Sequence, residues 1–330
     1  FGIWIVNLLL SIVTLGIYSA WAKVRTKKYF YQNTYVAGRN FDYHATGMQI
    51  FLGRLIVIVG LIFFSVASSI PLLDWVVTIG FVAAIPYLMT RALMFNARMS
   101  SWSNVRFDFD GSTGRAFLIY LIFPILTFLT LYTTFPFLDR AVKRYTIDHH
   151  TLGEHRFNLQ APIGPFYTGL LAAFAWAFGV SVVILVAVGI RLDGLTLETL
   201  DTDPAAAALI IAGIYAAVVF AFIPAVTIYT AFTRNVVYNS TELGGGHRFV
   251  SDIQPITMVW IAMSNAIVVL LTLGLMLPWA RVRMARYLAA HTTLVPGDSL
   301  DSFVGKMEER ATAIGDAYSD IEGIELGIPI

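Results

Sequence analysis

The densest group of potential metal ligands in this sequence is the segment Asp148–His155, which contains His149, His150 and His155 beside two acids. Zinc accepts histidine and carboxylate ligands, often from one face of a helix. The inverted zinc-protease motif has the order His-x-x-Glu-His. Here the order is His-x-x-x-Glu-His, with a Thr-Leu-Gly turn inside it, so the helical register fails. The three histidines are therefore a weak metal hypothesis, a polar helix end explains them equally well, and no cofactor is indicated.

Binding of lipid headgroups is a second kind of chemistry, indicated by basic residues interleaved with aromatic ones after the first and last apolar stretches. Tryptophan favours the membrane interface, and Lys and Arg orient a chain with its basic segments inside. Clusters of cations also attract anionic lipids. Both interpretations, a topological anchor and a site for anionic phospholipid, stay open. The residues concerned are Trp21, Lys23, Arg25, Lys27, Lys28, Arg281, Arg283 and Arg286.

Four further polar residues lie within apolar stretches. Arg54 is a functional candidate because charge is costly inside a membrane, but it stands near the end of its stretch and can extend to the headgroup layer. Asn7, Ser264 and Asn265 suit helix–helix hydrogen bonds as well as a substrate path. No acid stands clearly in the middle of an apolar stretch, which argues against a proton-coupled transporter.

Other activities lack a sequence basis. The chain has no cysteine, so disulfides, thiolate metal sites and cysteine nucleophiles are excluded. Its net charge of +1 gives no general attraction to nucleic acid. No phosphate-binding loop, dinucleotide fingerprint or nucleophile elbow is present. We name no catalytic residue and expect that the protein is not an enzyme.

Membrane helices are the elements that must position these residues. Hydrophobic residues make up 57% of the chain and charged residues 13%, whereas soluble domains have about half and a quarter. A helix of about 20 residues crosses a bilayer. The sequence therefore predicts an all-α integral membrane protein. Its seven apolar segments are Gly2–Ala20, Met48–Ile70, Pro71–Met94, Ala116–Phe137, Pro165–Ile190, Pro204–Phe232 and Ile256–Pro278.

A polar unit recurs after the apolar segments. It starts with a basic helix end, passes a turn and ends in a short alternating pattern, which predicts β-hairpin-like elements at Arg39–Tyr43, Val105–Asp108 and Arg156–Leu159. The longer apolar stretches also repeat, with prolines at Pro86 and Pro224. We predict one membrane domain over residues 1–297, with a partial unit 1–40, tandem copies at about 41–156 and 157–297, and an acidic tail over 298–330.

The distribution of charge predicts the topology. All five polar units are basic, whereas the links Pro71–Asp74 and Arg191–Asp203 are neutral or acidic, so the units are expected in the cytoplasm. Seven spanning segments would place some units outside. The alternative has four spanning segments and three re-entrant ones, at Gly2–Ala20, Ala116–Phe137 and Ile256–Pro278. Their expected breaks are Thr14-Leu15-Gly16, the prolines Pro124 and Pro136, and Thr272-Leu273-Gly274.

The strings TLGIYSAWAKVRTKKYFYQNT and TLGLMLPWARVRMARYLAAHT resemble the signature segments of the YjgN-like family, and the resemblance covers nearly the whole chain. It implies a multi-pass protein of the bacterial inner membrane with no established activity and no catalytic residues to carry over. The family usually has a strand of the form Phe-x-Gly-x-x-Gly before the first apolar segment. That strand is missing here, so we expect a trimmed N-terminus.

Two functions are compatible with these features. The broken, repeated helices favour a transport or lipid-handling protein, because transporters build sites from such helices. The alternative is a non-catalytic accessory or scaffold subunit that binds another membrane protein. The expected partners are membrane lipids, with anionic phospholipid as a hypothesis, or a membrane protein, and not nucleic acid. A polar cavity that reaches the middle of the membrane would separate the two functions.

Overall fold

The computed structural model describes residues 1–71, 73–192 and 204–297, together with Ser299 and Gly305. The acidic tail predicted over 298–330 and most of the acidic link at Arg191–Asp203 lie outside the described residues. The described helices are α1 Gly2–Val13, α2 Ser19–Gln32, α3 Gly47–Ala67, α4 Asp74–Arg98, α5 Thr113–Phe117, α6 Phe123–Leu129, α7 Phe135–Asp148, α8 Gly164–Leu192, α9 Pro204–Asn239, α10 Pro255–Leu271 and α11 Leu277–Ala290, with a π-helical turn at Leu118–Ile122 between α5 and α6.

The polar units form one continuous antiparallel sheet, so the predicted all-α class is wrong. The described strands are β1 Tyr35–Val36, β2 Arg39–Tyr43, β3 Ser100–Trp102, β4 Val105–Phe109, β5 His150–Leu152, β6 His155–Leu159, β7 Thr241–Leu243, β8 His247–Ser251 and β9 Thr292–Val295. They are neighbours in chain order and curve into a nearly closed barrel. The three predicted extended segments are confirmed. Each isolated hairpin would leave unpaired edges, and pairing with the next hairpin removes them.

Side chains on one face of this sheet form a hydrophobic core. Phe41, Phe107, Phe157 and Phe249 come from alternate strands and stack in a row, with ring centroids 6.1 to 6.4 Å apart. The buried side chains packed with this row are Trp102, Val105, Leu152 and Leu243. The core lies on one face because successive side chains of a strand point to opposite faces. In β4, Val105 and Phe109 are buried, whereas Arg106 and Asp108 are exposed.

Four helices are long and apolar enough to cross a membrane, with spans at Gly47–Ala67, Asp74–Arg98, Gly164–Ile184 and Ile211–Asn239. Three shorter apolar helical segments are Gly2–Val13, Thr113–Leu129 and Pro255–Leu271. The segment α5–α7 leaves β4 and returns to its neighbour β5, just as α3–α4 joins the neighbours β2 and β3. Each such excursion crosses the membrane an even number of times. Seven single crossings do not fit this arrangement, four crossings fit the helix lengths, and the number of crossings stays a prediction.

Local sequence sets how these helices begin. Thr46 caps α3, because its Oγ1 accepts a hydrogen bond from the Gln49 backbone N–H at 3.3 Å and its own N–H donates to Gln49 Oε1 at 3.0 Å. Beyond this cap, Ile56 and Phe63 are about two-thirds exposed, at 70% and 68%. Large apolar side chains turned outward along a 21-residue helix are the surface expected to face lipid.

Two compact units divide the described chain, and each contains two of the candidate spans. The first consists of residues 1–160 and 240–249 with the described residues from 294 onward, and the second of residues 161–239 and 250–293. The first unit holds most of the sheet. The predicted boundaries of the internal duplication stay a prediction.

Candidate functional site

Three helical hairpins share one kind of turn, at Thr14–Gly16, Thr130–Tyr132 and Thr272–Gly274. In each turn the threonine hydroxyl donates to the carbonyl four residues earlier, and the following leucine has φ 50. These leucines are 94%, 86% and 94% exposed. A leucine at positive φ is strained. Apolar neighbours of these turns, namely Val13, Leu129 and Leu271, are exposed as well. Contiguous exposed apolar surface marks a contact with lipid or protein, so each hairpin tip suits an apolar environment.

The predicted breaks in the first and third hairpins are confirmed, and that in the second is misplaced. Pro124 and Pro136 do not form the second turn. They occupy the first turns of α6 and α7. Pro136 is tolerated at the start of α7 because the first helical N–H groups have no intrahelical partner. Pro124 follows the π-helical turn directly within one continuous helical segment, so it does not break the chain.

The asparagines predicted inside the apolar segments join the two helices of the first and third hairpins. Asn7 Nδ2 donates to the Ala22 carbonyl at 3.3 Å, and Asn265 Nδ2 donates to the Ala280 carbonyl at 3.0 Å. Both asparagines are buried. These bonds satisfy carbonyl groups within the hairpins, which favours a structural role for the asparagines over a substrate path.

Arginines reinforce the same hairpins. Arg283 donates through Nη1 to Ser264 Oγ at 2.6 Å and to Asn265 Oδ1 at 3.0 Å, and its guanidinium lies 5.2 Å from the Trp279 ring centroid. Arg54, on the spanning helix α3, donates to Ser19 Oγ at the start of α2. Its position seven residues after Gly47 corresponds to about 10 Å along the helix. Arg283 therefore joins the two helices of the third hairpin, and Arg54 joins α3 to the second helix of the first hairpin.

Two of the predicted headgroup residues point into the protein. The Trp21 ring packs against the backbone of Gly47, where a Cβ would lie only 2.3 Å from Trp21 Cδ1. Lys27 Nζ donates to Asn96 Oδ1 at 2.6 Å and stands 4.6 Å above the Tyr43 ring. Burial, helped by the charge of Lys23, lowers the pKa of Lys27. Trp21 and Lys27 are packing residues in the first unit.

The remaining cations of α2 and α11 have no carboxylate partner within the described part of the chain. Arg25 bonds only the Tyr18 hydroxyl, at 3.2 Å. Arginines in or beside the sheet differ, since Arg98 at the end of α4 pairs with Asp108 at 2.7 Å, Arg248 pairs with Glu242 at 2.9 Å, and Arg156 pairs with Asp110. The helix cations without an acid are Lys23, Arg25, Lys28, Arg281 and Arg286.

Two histidines of the metal hypothesis, His149 and His150, cap the end of α7, whereas His155 begins β6. His149 Nδ1 and His150 Nδ1 contact the carbonyl oxygens of Tyr145 and Thr146 at 2.8 and 2.5 Å. A carbonyl only accepts, so both Nδ1 atoms donate and satisfy groups that the end of α7 leaves unpaired. Among the residues that the structure describes, no three His, Cys, Asp or Glu side chains are grouped as a metal site.

Two cavities lie next to the sheet. One, of about 430 Å³, is lined by the ends of α2 and α4 and by Phe41 and Phe107. The other, of about 420 Å³, lies between the π-helical segment and α7, and includes Arg115 and Arg144. Sequence reasoning missed Arg115 and Arg144. A usable signal was present on α7, where Ala141, Arg144 and Asp148 recur at helical spacing.

Comparison with known proteins identifies the family. The model described as "bacterial protein of unknown function (DUF898)" matches residues 1–321. Inner membrane protein YjgN of Salmonella typhimurium is 27% identical over an alignment of 355 positions, which covers 94% of this chain and 89% of that protein. Inner membrane protein YjgN of Escherichia coli O157:H7 is 34% identical over 137 positions, which cover 41% of this chain and 34% of that protein. No solved structure matches this chain.

These matches confirm the resemblance found in the two signature strings. The four apolar helices are long enough to span a membrane, and the relatives are named as inner-membrane proteins. The chain therefore belongs to this family of bacterial proteins of unknown function and is a multi-pass protein of the inner membrane.

Proposed function

We propose that this protein binds anionic phospholipid of the cytoplasmic leaflet and acts as a lipid-handling protein. The observation that carries the proposal is the set of unpaired cations on α2 and α11, namely Lys23, Arg25, Lys28, Arg281 and Arg286. Each stands on the second helix of a hairpin whose tip is an exposed leucine. An apolar tip and a cationic base together match the cross-section of an anionic leaflet.

The magnitude of the attraction supports this class of ligand. A cation near an anionic leaflet contributes about 1 kcal/mol, so the three exposed or half-exposed cations Lys23, Arg25 and Lys28 together supply about 3 kcal/mol. The ion-paired arginines of the sheet gain less, because their charge is already compensated. Screening acts over about 10 Å at 0.1 M salt, so lipid retention by α2 is expected to fall as salt rises.

The placement of the cavities favours lipid handling over transport through a midplane site. Both cavities lie at the sheet and not in the middle of the apolar helices. Phe107 and His150 in the strands line one, and Asp148 and His149 at the end of α7 line the other. The first and third hairpins share one internal contact. Asn7 and Asn265 each bond the carbonyl of the residue fifteen positions later.

The test compares the lipid retained by two variants, one without three unpaired cations and one without three ion-paired arginines. The triple substitution Lys23→Gln, Arg25→Gln and Lys28→Gln is expected to reduce the phosphatidylglycerol that co-purifies in native mass spectrometry. The matched control is Arg98→Gln, Arg156→Gln and Arg248→Gln, which removes three charges from ion pairs. The control is expected to retain lipid at the wild-type level.

Insertion must be verified in both variants, because basic residues also orient the first segment. Equal lipid retention by the two correctly inserted variants would contradict the proposal. If lipid is unchanged and another membrane protein is lost from the purified α2 variant instead, the scaffold function replaces lipid handling.

A further inference from the structure

The cavity beside α7 has a cationic end next to the sheet. On the α5 side, Arg115 has no side-chain partner among the described residues. On the α7 side, Arg144 uses only its Nε, at 3.2 Å from Asp148 Oδ2, which leaves its two Nη groups without a described acceptor. His149 also lines this end; its Nδ1–H donates to the Tyr145 carbonyl, so Nε2 of the neutral ring is an acceptor and is not a phosphate contact.

The acid at this end is already occupied by protein donors. Asp148 Oδ1 accepts the Leu159 backbone N–H at 2.7 Å, and Asp148 Oδ2 accepts from Arg144. Its charge is therefore matched within the protein, and Arg115 remains as an uncompensated cation. A phosphate group carries oxygen acceptors and negative charge that fit guanidinium donors.

The opposite end of the same cavity is apolar. Leu118 and Ile119 line it from the π-helical turn, and Phe123 and Ala141 lie further along the hairpin. Ala141 and His149 are eight residues apart, which corresponds to about 12 Å along α7. The cavity therefore changes from cationic to apolar over about 12 Å, along the direction from the sheet to the hairpin tip.

The π-helical turn is an independent sign of function. Such turns are rare, occur mostly as single turns inside α-helices and are frequent at functional sites. Here the turn contributes Leu118 and Ile119 to the cavity wall, and Leu118 is 52% exposed. The cavity volume of about 420 Å³ lies within the range of about 300–1,000 Å³ that ligand pockets have.

We propose that this cavity binds one anionic phospholipid, with its phosphate between Arg115 and Arg144 and the start of an acyl chain along Leu118 and Ile119. The class of ligand rests on the proposed function. The site itself is separate, because none of its residues belongs to the unpaired cations of α2 and α11.

The experiment titrates the purified full chain in detergent with short-chain phosphatidylglycerol and, in a parallel arm, with inorganic phosphate. Arg115→Gln removes the free guanidinium, and we expect binding of phosphatidylglycerol to weaken about tenfold, as for one lost charge-assisted hydrogen bond. The matched control is Arg140→Gln, which removes the same charge from the same hairpin outside the cavity and is expected to change binding less than about twofold.

A second variant tests the apolar end. Leu118→Asn is expected to weaken phosphatidylglycerol binding and to leave any binding of inorganic phosphate unchanged. Because Leu118 is half exposed, this variant is expected to fold, and the thermal unfolding of each variant verifies that point.

The outcomes separate this proposal from the wider one. Equal affinity of Arg115→Gln and Arg140→Gln overturns the cavity site. Phosphate that binds as tightly as the lipid, with no effect of Leu118→Asn, overturns the lipid and assigns a free anion. If the α2 triple variant loses co-purified lipid while Arg115→Gln binds normally, the proposed function holds and the cavity site fails.

Discussion

Replacing Gly47 with alanine tests whether Trp21 is a packing residue or a headgroup anchor. A Cβ at position 47 would lie 2.3 Å from Trp21 Cδ1, 2.4 Å from Cγ and 2.5 Å from Nε1. Because Cγ is the first atom of the ring, the contact cannot be relieved by moving only the far end of the side chain. Helix α2 must shift from α3, and such overpacking costs about 1–3 kcal/mol. We expect the free energy of unfolding to fall by that amount.

Gly53→Ala on the same helix is the matched control. Nothing lies within 4 Å of a Cβ at Gly53, and alanine gains up to about 1 kcal/mol of helix propensity over glycine. This variant is expected to match or exceed wild-type stability. The measurement is unfolding of the detergent-solubilised protein by increasing SDS, followed by circular dichroism.

A double-mutant cycle locates the clash. Trp21→Ala creates space beside position 47, so the second substitution is expected to cost less in Trp21→Ala/Gly47→Ala than in the wild type. The reasoning is refuted if Gly47→Ala and Gly53→Ala have the same stability, or if removing the Trp21 ring does not change the cost of Gly47→Ala. Trp21 would then be free to serve in the headgroup layer.

Three further predictions address the topology, the pH dependence and the core. Cysteines introduced singly at Ser69 and Lys143 are expected to differ in intact cells, with a membrane-impermeant maleimide labelling only Ser69→Cys; labelling at Lys143→Cys would place the sheet outside. Burial lowers the pKa of His150, against the opposing effects of the Thr146 carbonyl and Asp108 and with a smaller contribution from His149. As the pH falls, the unfolded chain therefore takes up this proton before the folded one, and the free energy of unfolding falls as the pH drops through about 6.5. His150→Gln is expected to reduce this dependence of stability on pH, measured by SDS unfolding at pH 7.5 and 5.5. An unchanged dependence contradicts the prediction. Phe107→Ala interrupts the row of stacked rings and is expected to cost about 3 kcal/mol, whereas Phe128→Ala, at a side chain 67% exposed, is expected to cost little; equal costs would show that the row does not stabilise the sheet.

The strands were predictable from sequence because their signal is local. The alternation around Arg106-Phe107 and Arg156-Phe157 places one side chain in the core and the next in water. Pairing between different hairpins was not predictable in the same way. The contact of Phe107 with Phe157 joins residues 50 positions apart, and no local pattern specifies which hairpin lies beside which.

The site was only partly predictable for a related reason. Spacing showed that Lys23, Arg25, Lys27 and Lys28 share one helix, but it did not show which of them meets Asn96 and Tyr43 on distant elements. The cavity beside α7 depends on the π-helical turn at Leu118–Ile122, whose residues also suit an α-helix by propensity. Tertiary packing decides both features, so they became visible only in the structure.

The sheet and the helical hairpins depend on each other. A two-stranded hairpin alone is marginal in water, and a hairpin such as α5–α7 carries short helices and a strained turn. Pairing β4 with β5 closes α5–α7, and pairing β2 with β3 closes the much longer α3–α4. The cost of closing a loop grows only slowly with its length, so the same strand geometry can close both excursions. This explains why the strand units share an order of residue types while the helices between them differ in length.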